Sequence, residues 1–293
     1  MNNIAIYGRS FGNQHILGVQ SLFEELFHRN KTISIYRPFY DYLKPRIKFK
    51  EEPHVYNSNS ELQKFAECLF SIGGDGTILD SITFIGKSGI PILGINTGRL
   101  GFLSTIKMED VKSALLQLDN NDYSLEKRML LQLKTNPTLF KNKNYGLNEV
   151  VVHKKDTSSM IAIHTYINDE ILNTYWADGL IISTPTGSTA YSLSCGGPII
   201  TPGSENFVIT PVAPHSLTSR PFVIPATDNI KLKVEGRGKY FLVSLDSRME
   251  TFDSDLELEI QRCDFDLNLI RFKSQSFLQT LSNKLNWGID QRN

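Results

Sequence analysis

Over the first 122 residues, apolar positions alternate between two rhythms. NNIAIYG (2–8), TISIY (32–36), CLFSI (68–72) and IPILGIN (90–96) are short apolar runs that read as strands. Between them, GVQSLFEELFHRN sets Val19, Leu22, Phe23, Leu26 and Phe27 on one helical face. SELQKFAECLFSI opens as a helix capped by Ser60 with Glu61 in its first turn, and a further helix starts near Gly76. Strands joined by crossover helices in this order predict a mostly parallel sheet. RPFYDYLKPRIKFKEEPHVYNSNS (37–60), with three prolines and many charges, reads as a loop.

From Tyr123 the rhythm changes to period two. YSLEKRMLLQLKTN, EVVVHKK, MIAIHTYINDEIL, GLIISTPTG, DNIKLKVEG, KYFLVSLDS and LELEIQRCDFDLNLIRF are strand-like runs separated by turn residues. SFLQTLSNKLNWG closes the chain as a helix with Phe277, Leu278, Leu281 and Leu285 on one face. The expected organisation is an α/β domain over 1–122, with an all-β domain over 123–274. Segment 275–293 returns to pack on the α/β domain.

Composition narrows the class. A chain of 293 residues that is 40% hydrophobic and 21% charged can bury a sizeable core. Its 31 basic and 31 acidic residues balance, so the total charge calls for neither nucleic acid nor a membrane surface as partner. Cys68, Cys195 and Cys263 form no CxxC pair, and the N-terminus carries no apolar signal segment. No apolar run reaches the roughly 20 residues of a membrane helix. A reduced, soluble, cytoplasmic protein is expected.

The chemistry concentrates in three places. SIGGDGTILD (71–80) follows a strand and opens a helix, where backbone N–H groups at a helix N-terminus bind phosphate and glycines let a ligand approach. Thr77 is the expected cap of that helix. Asp75 would repel phosphate, so it reads as a base or acceptor for a hydroxyl, as a partner of bound Mg²⁺, or as a simple turn residue. ADGLIISTPTGSTAYSLSCGGPII (177–200) gathers neutral hydroxyls suited to a polyhydroxylated ligand, or equally to a surface loop. Asn148 and Glu149 precede a strand, where they could grip two ribose hydroxyls or form a turn. GKS at 86–88 is half of a P-loop, with Ser81 where the first glycine belongs, and no GxGxxG follows a strand.

Taken together, GGDGT (73–77), GINTGRLGFL (94–103), NEVVVH (148–153), DGLIISTPTGSTAYSLSCGGPI (178–199) and DFDLNLI (264–270) resemble the NAD kinases across nearly the whole chain. Lipid kinases and phosphofructokinases carry sequences like GGDGT, whereas the hydroxyl-rich block singles out the NAD kinases. The resemblance implies an α/β nucleotide-binding domain, an all-β domain, and a homodimer or homotetramer. It implies ATP-dependent phosphorylation of NAD, with Mg²⁺ accompanying ATP and no dedicated metal-ligand set. Asp75 is then the catalytic base, with Gly74 and Gly76 at the phosphates and Asn148 and Glu149 on the adenosine part of NAD. Asp178 and Thr189, Ala190, Tyr191, Ser192, Leu193 and Ser194 match positions contacting adenine or the nicotinamide riboside. Trp176 stands where a basic or small residue is usual, which suggests stacking in place of charge at the pyrophosphate. Arg248 replaces a usual Gln or Asn and reads as a partner for the product 2′-phosphate, or as a solvated strand-end arginine. His153 and His215 receive no role. A diacylglycerol- or sphingosine-type lipid kinase and a non-catalytic dinucleotide sensor are the competing readings.

Overall fold

The computed structural model describes residues 1–98, 101–155, 159–273 and 275–285. Its chain divides into two compact units, Met1–Lys127 with Leu267–Asn293, and Arg128–Asp266.

In the first unit the chain runs β1 (Asn3–Gly8), α1 (Ile16–His28), β2 (Thr32–Tyr36), α2 (Arg37–Leu43), β3 (His54–Tyr56), α3 (Asn59–Phe65), β4 (Cys68–Ile72), α4 (Asp75–Ile85), β5 (Ile92–Asn96), β6 (Ile106–Lys107) and α5 (Val111–Asp119). The strands pair in parallel in the order β3-β2-β1-β4-β5. All five residues of CLFSI are buried, as are all five of ILGIN, because strands covered on both faces have no polar side to show. Ile4, Ile6, Ile33, Ile35, Phe70 and Ile95 pack against α1 and α5 on one face. The opposite face meets α4: Tyr7 touches Phe84, and Gly94 lies beneath Ile78. The order reverses at β1 and β4, and in open sheets of this kind ligands bind beyond the carboxyl ends of the strands at that reversal.

Segment 37–60 differs from the expected loop, since it holds α2, β3 and the start of α3. Pro38 lies in the first turn of α2, where a missing N–H costs nothing, and Phe39, Tyr40 and Leu43 bury one helical face. The cap of α3 is Ser58, whose hydroxyl accepts from Glu61 N at 3.3 Å, and not Ser60. Helix α5, with Val111, Ala114, Leu115 and Leu118 buried, has no counterpart among the expected elements.

The chain continues into the second unit with β7 (Ser124–Lys134), β8 (Tyr145–Gly146), β9 (Glu149–Lys154), β10 (Ile161–Ile167), β11 (Glu170–Ala177), β12 (Gly179–Ser183), α6 (Tyr191–Ser194), β13 (Asn206–Val212), β14 (Phe222–Pro225), β15 (Ile230–Glu235), β16 (Tyr240–Leu245), β17 (Arg248–Asp253) and β18 (Leu258–Arg271). One antiparallel sheet runs β14-β13-β12-β9-β16-β17. A second contains β11, β10, β15 and the first part of β18. Alternate residues of both, including Val150, Val152, Ile163, Leu180, Ile182, Phe207, Leu232, Val243 and Ile260, share one core. MIAIHTYINDEIL is a hairpin and not one strand: Asn168 and Asp169 have φ of 49° and 67°, the left-handed pair that a two-residue turn requires.

The end of β18 rejoins the first unit, where Leu269 pairs with Ile92, and α7 (Phe277–Leu285) follows. Phe277 and Phe102 place their ring centroids 6.4 Å apart. Leu281 is buried, whereas Leu278 is 69% exposed and off the packed face. Residues 286–293 of the expected terminal helix, and Arg99 and Leu100 of GINTGRLGFL, lie outside the described residues.

Candidate functional site

Beyond the carboxyl end of β4, at the reversal of strand order, Gly73 and Gly74 turn the chain into α4. Gly73 has φ 151°, and a Cβ there would overlap the Thr77 hydroxyl, so this position requires glycine. The cap residue is Gly74, with no side-chain cap. Thr77 is buried at the base of the turn, and its N–H reaches Gly74 O at 3.0 Å. The first amides of α4 have no intrahelical acceptor by helix geometry, and around Gly74 and Gly76 an added Cβ would meet nothing within 4 Å. An anion could therefore reach these N–H groups.

Asp75 is not an open carboxylate. Its Oδ1 accepts from Leu103 N (3.1 Å), Ser104 N (2.9 Å) and Ser104 Oγ (2.9 Å), and its Oδ2 accepts from Phe102 N (2.8 Å). Asn96 Nδ2 in turn donates to Ser104 Oγ at 2.9 Å. Gly101 packs so closely that a Cβ would overlap the Asp75 carboxylate. A carboxylate has about four lone-pair sites, so Oδ1 is filled while Oδ2 keeps room for another donor. Hydrogen bonds to a charged group contribute about 1.5–3 kcal/mol each, and the rotamer of Asp75 is correspondingly well fixed.

In the second unit the site residues rest on a buried carboxylate absent from the sequence reading. Asp246, at φ 53° between β16 and β17, accepts from Leu147 N (2.8 Å), Asn148 N (2.8 Å) and Glu149 N (3.2 Å). Burial pushes its carboxyl upward, against the pull of those three amides. Glu149 is itself buried, and no donor among the described residues reaches its Oε2. Burial first, and then the Asp246 charge, push Glu149 up to about 8, so at neutral pH it is largely the neutral acid and can donate as well as accept.

The hydroxyl-rich block is largely turned inward. Ser183, Thr184, Thr186, Ser188 and Ser192 are buried. Thr184 Oγ1 donates to Leu147 O and accepts from Gly187 N at 3.2 Å, and Arg128 Nη1 donates to Thr186 Oγ1 at 3.2 Å. Ser188 Oγ donates to Pro185 O at 2.7 Å and accepts from Ile200 N at 3.0 Å, while Ser192 Oγ meets Thr210 Oγ1 at 2.8 Å. These groups hold the turn and α6 against β12 and β13. Among the rest of the block, Thr189, Ala190 and Leu193 are half-buried, and Tyr191 and Ser194 are exposed. Tyr191 lies 5.8 Å from the His153 ring, centroid to centroid. Burial lowers the His153 imidazole against the opposing effect of Asp178. Asp178 is half-buried, with Oδ1 2.5 Å from Lys154 Nζ. Asp178, His153, Lys154 and Tyr191 thus form one polar cluster.

Trp176 is 57% exposed on the edge strand β11 and lines a cleft of about 380 Å³ with His215, Arg220 and Phe222. Arg248 is not a solvated strand-end arginine. Its guanidinium donates to Lys143 O and Tyr145 O and lies 5.7 Å from the Phe140 ring, which ties down the 140–145 segment.

Comparison with known proteins decides the family. The model of the ATP-NAD kinase N-terminal domain matches residues 20–123, and that of the C-terminal domain matches residues 147–272. The chain belongs to the NAD kinase family. Relatives named NAD kinase from Cytophaga hutchinsonii (45% identical over 290 residues) and Flavobacterium johnsoniae (47% over 292) each cover 99% of this chain and align over 99% of their own length. Two solved structures share the NAD kinase fold. A yeast NADH kinase complexed with NADH superposes with TM-score 0.87 at 21% identity, covering 99% of this chain and 89% of its own. An NAD kinase from Archaeoglobus fulgidus in complex with ATP superposes with TM-score 0.74 at 24% identity, covering 97% and 98%. Nothing here favours the lipid-kinase reading.

Proposed function

We propose that the protein phosphorylates NAD at the 2′-hydroxyl of the adenosine ribose with MgATP as donor, giving NADP and ADP. The observation that carries the chemistry is Asp75, at the head of α4 behind Gly73 and Gly74, with Oδ1 saturated and Oδ2 still able to accept. Oδ2 takes the proton as the 2′-oxygen bonds to the γ-phosphorus, and the bond from that phosphorus to the β,γ-bridging oxygen breaks to release ADP. The clamp from Phe102 to Ser104 aims the carboxylate, and the amides of the turn face the transferring phosphoryl group. General-base assistance is worth about 10²–10⁴ in rate.

Asn148 and Glu149 hold the adenosine ribose in this reading, with the neutral Glu149 as donor and acceptor between hydroxyls. Asp178, Tyr191 and the half-buried Thr189, Ala190 and Leu193 take the base and the second riboside, and Trp176 supplies a stacking face. In this reading Mg²⁺ accompanies ATP as part of the donor substrate, where it offsets charge on the phosphates. No helix among the described residues is long and apolar enough to cross a membrane. Cytoplasmic location and a homodimer or homotetramer belong to the same reading.

The deciding experiment is incubation with ATP, Mg²⁺ and NAD, with NADP read by a strictly NADP-dependent dehydrogenase. Formation of NADP at a rate proportional to protein is expected. Tight NAD binding with no NADP under varied donors and metals would make the protein a dinucleotide sensor.

A further inference from the structure

We propose that Arg9 is the cation that holds the triphosphate of the donor over the glycine turn, with Asp80 positioning its guanidinium; this rests on the reading that the turn takes ATP. The stretch SIGGDGTILD contains two carboxylates, Asp75 and Asp80, and no basic residue. A polyanion brought there needs a counter-charge from another segment, because transfer of a phosphoryl group depends chiefly on positioning and charge neutralisation. The sheet register supplies one. β1 and β4 pair so that Gly8 lies beside Ile72, and the next residues, Arg9 and Gly73, leave the sheet side by side at the reversal of strand order.

Arg9 follows Tyr7 by two positions and leaves the sheet on the same face, the one covered by α4. There its Nη2 pairs with Asp80 Oδ2. Asp80 is four residues after Gly76, so the two share a helix face about 6 Å apart along the axis. The guanidinium is therefore tethered one turn along the face on which Gly76 leaves open space. Asp80 is nearly covered, with 14% of its side chain exposed, whereas 63% of the Arg9 side chain faces solvent. An arginine has five donors in a fixed fork; Asp80 takes Nη2 and the Tyr7 hydroxyl also bonds the guanidinium, which leaves further donors on this largely exposed head group for phosphate oxygens.

A pair kept only for stability predicts something different. Ion pairs with so exposed a partner are worth at most about 1 kcal/mol, so loss of Arg9 would then be nearly silent in kinetics. The test is Arg9→Met beside Arg9→Lys and Asp80→Asn, with ATP varied at saturating NAD and the NAD dissociation constant measured separately. For Arg9→Met we expect a rise of about tenfold or more in KM for ATP, an NAD dissociation constant within about twofold of the parent, and an unchanged melting temperature. Arg9→Lys should recover part of the loss, and Asp80→Asn should raise KM for ATP by a smaller factor. An unchanged KM for ATP in Arg9→Met overturns the proposal while the kinase reading stands. If the parent protein makes no NADP, calorimetry with a non-hydrolysable ATP analogue replaces the kinetics. Binding to the parent that is lost in Arg9→Met supports the role of Arg9, and equal binding or no binding to either removes it.

Discussion

The glycine turn after β4 and the hydroxyl-rich turn after β12 both follow a buried strand, yet they use polar groups in opposite ways. After β4, the backbone around Gly74 and Gly76 is left open and one side chain, Asp75, is fixed by four donors. After β12, the side chains of Thr184 and Ser188 bond nearby backbone and those of Thr186 and Ser192 bond Arg128 and Thr210, and the hydroxyls that stay exposed are those of Tyr191 and Ser194. A dense run of hydroxyls therefore signals a polar turn that must be folded without water, while a sparse run of glycines signals room for a ligand. Chemical density in a sequence and availability in a structure are different quantities.

The sharpest way to break this contrast is Asp75→Asn. Asn can keep its oxygen under Leu103 N and Ser104 N, but it cannot take a proton, and its amide faces Phe102 N where Oδ2 accepted. NAD binding should survive within a few fold while kcat falls by about 10²-fold or more. Near-normal kcat would leave Asp75 as a turn residue. Lost NAD binding together with lost activity would assign it to gripping ribose and reopen the identity of the base.

Asp246→Ala tests the other half, where polar groups serve the fold. It strands the amides of Leu147, Asn148 and Glu149, each costing about 1–3 kcal/mol when buried without an acceptor. A loss of about 3 kcal/mol or more in unfolding free energy by denaturant titration is expected, and NAD affinity should fall with it because Asn148 and Glu149 lose their support. Full stability in this variant would mean that water or a shifted backbone replaces the carboxylate, and the framework account of the second unit would lose its keystone.

The uneven legibility of the sequence follows from the range of the interactions. CLFSI and GGDGT were readable because a buried parallel strand and a glycine turn are written in adjacent residues. Asp246 was not, since its partners lie 97 to 99 positions earlier and nothing near LDS announces them. Ser104 was hidden for the same reason, 29 positions from Asp75. Segment 37–60 misled because prolines and charges were weighed above the spacing of Phe39, Tyr40 and Leu43, although a proline in a first turn is compatible with a helix. The hydroxyl block was legible as a polar turn, but which of its side chains are buried was not, because burial of a Ser or Thr depends on the whole sheet beneath it.

The smallest expected effect, and the finest probe of the contrast, is at Tyr191, the aromatic that the hydroxyl-rich turn leaves at the surface. Tyr191 is 38% exposed, its ring meets His153 at a 30° tilt, and burial followed by Cys195 pushes its hydroxyl upward. If the turn offers a ligand mainly this face, Tyr191→Ala should weaken NAD binding about five- to tenfold, in line with the roughly 1 kcal/mol of an aromatic contact. Tyr191→Phe separates the parts: retained affinity assigns the effect to the ring, and a loss equal to that of alanine assigns it to the hydroxyl. Measured by calorimetry at matched folded fraction, an unchanged dissociation constant in Tyr191→Ala would remove this residue from the site. The exposed part of the hydroxyl-rich turn would then be as structural as its buried part.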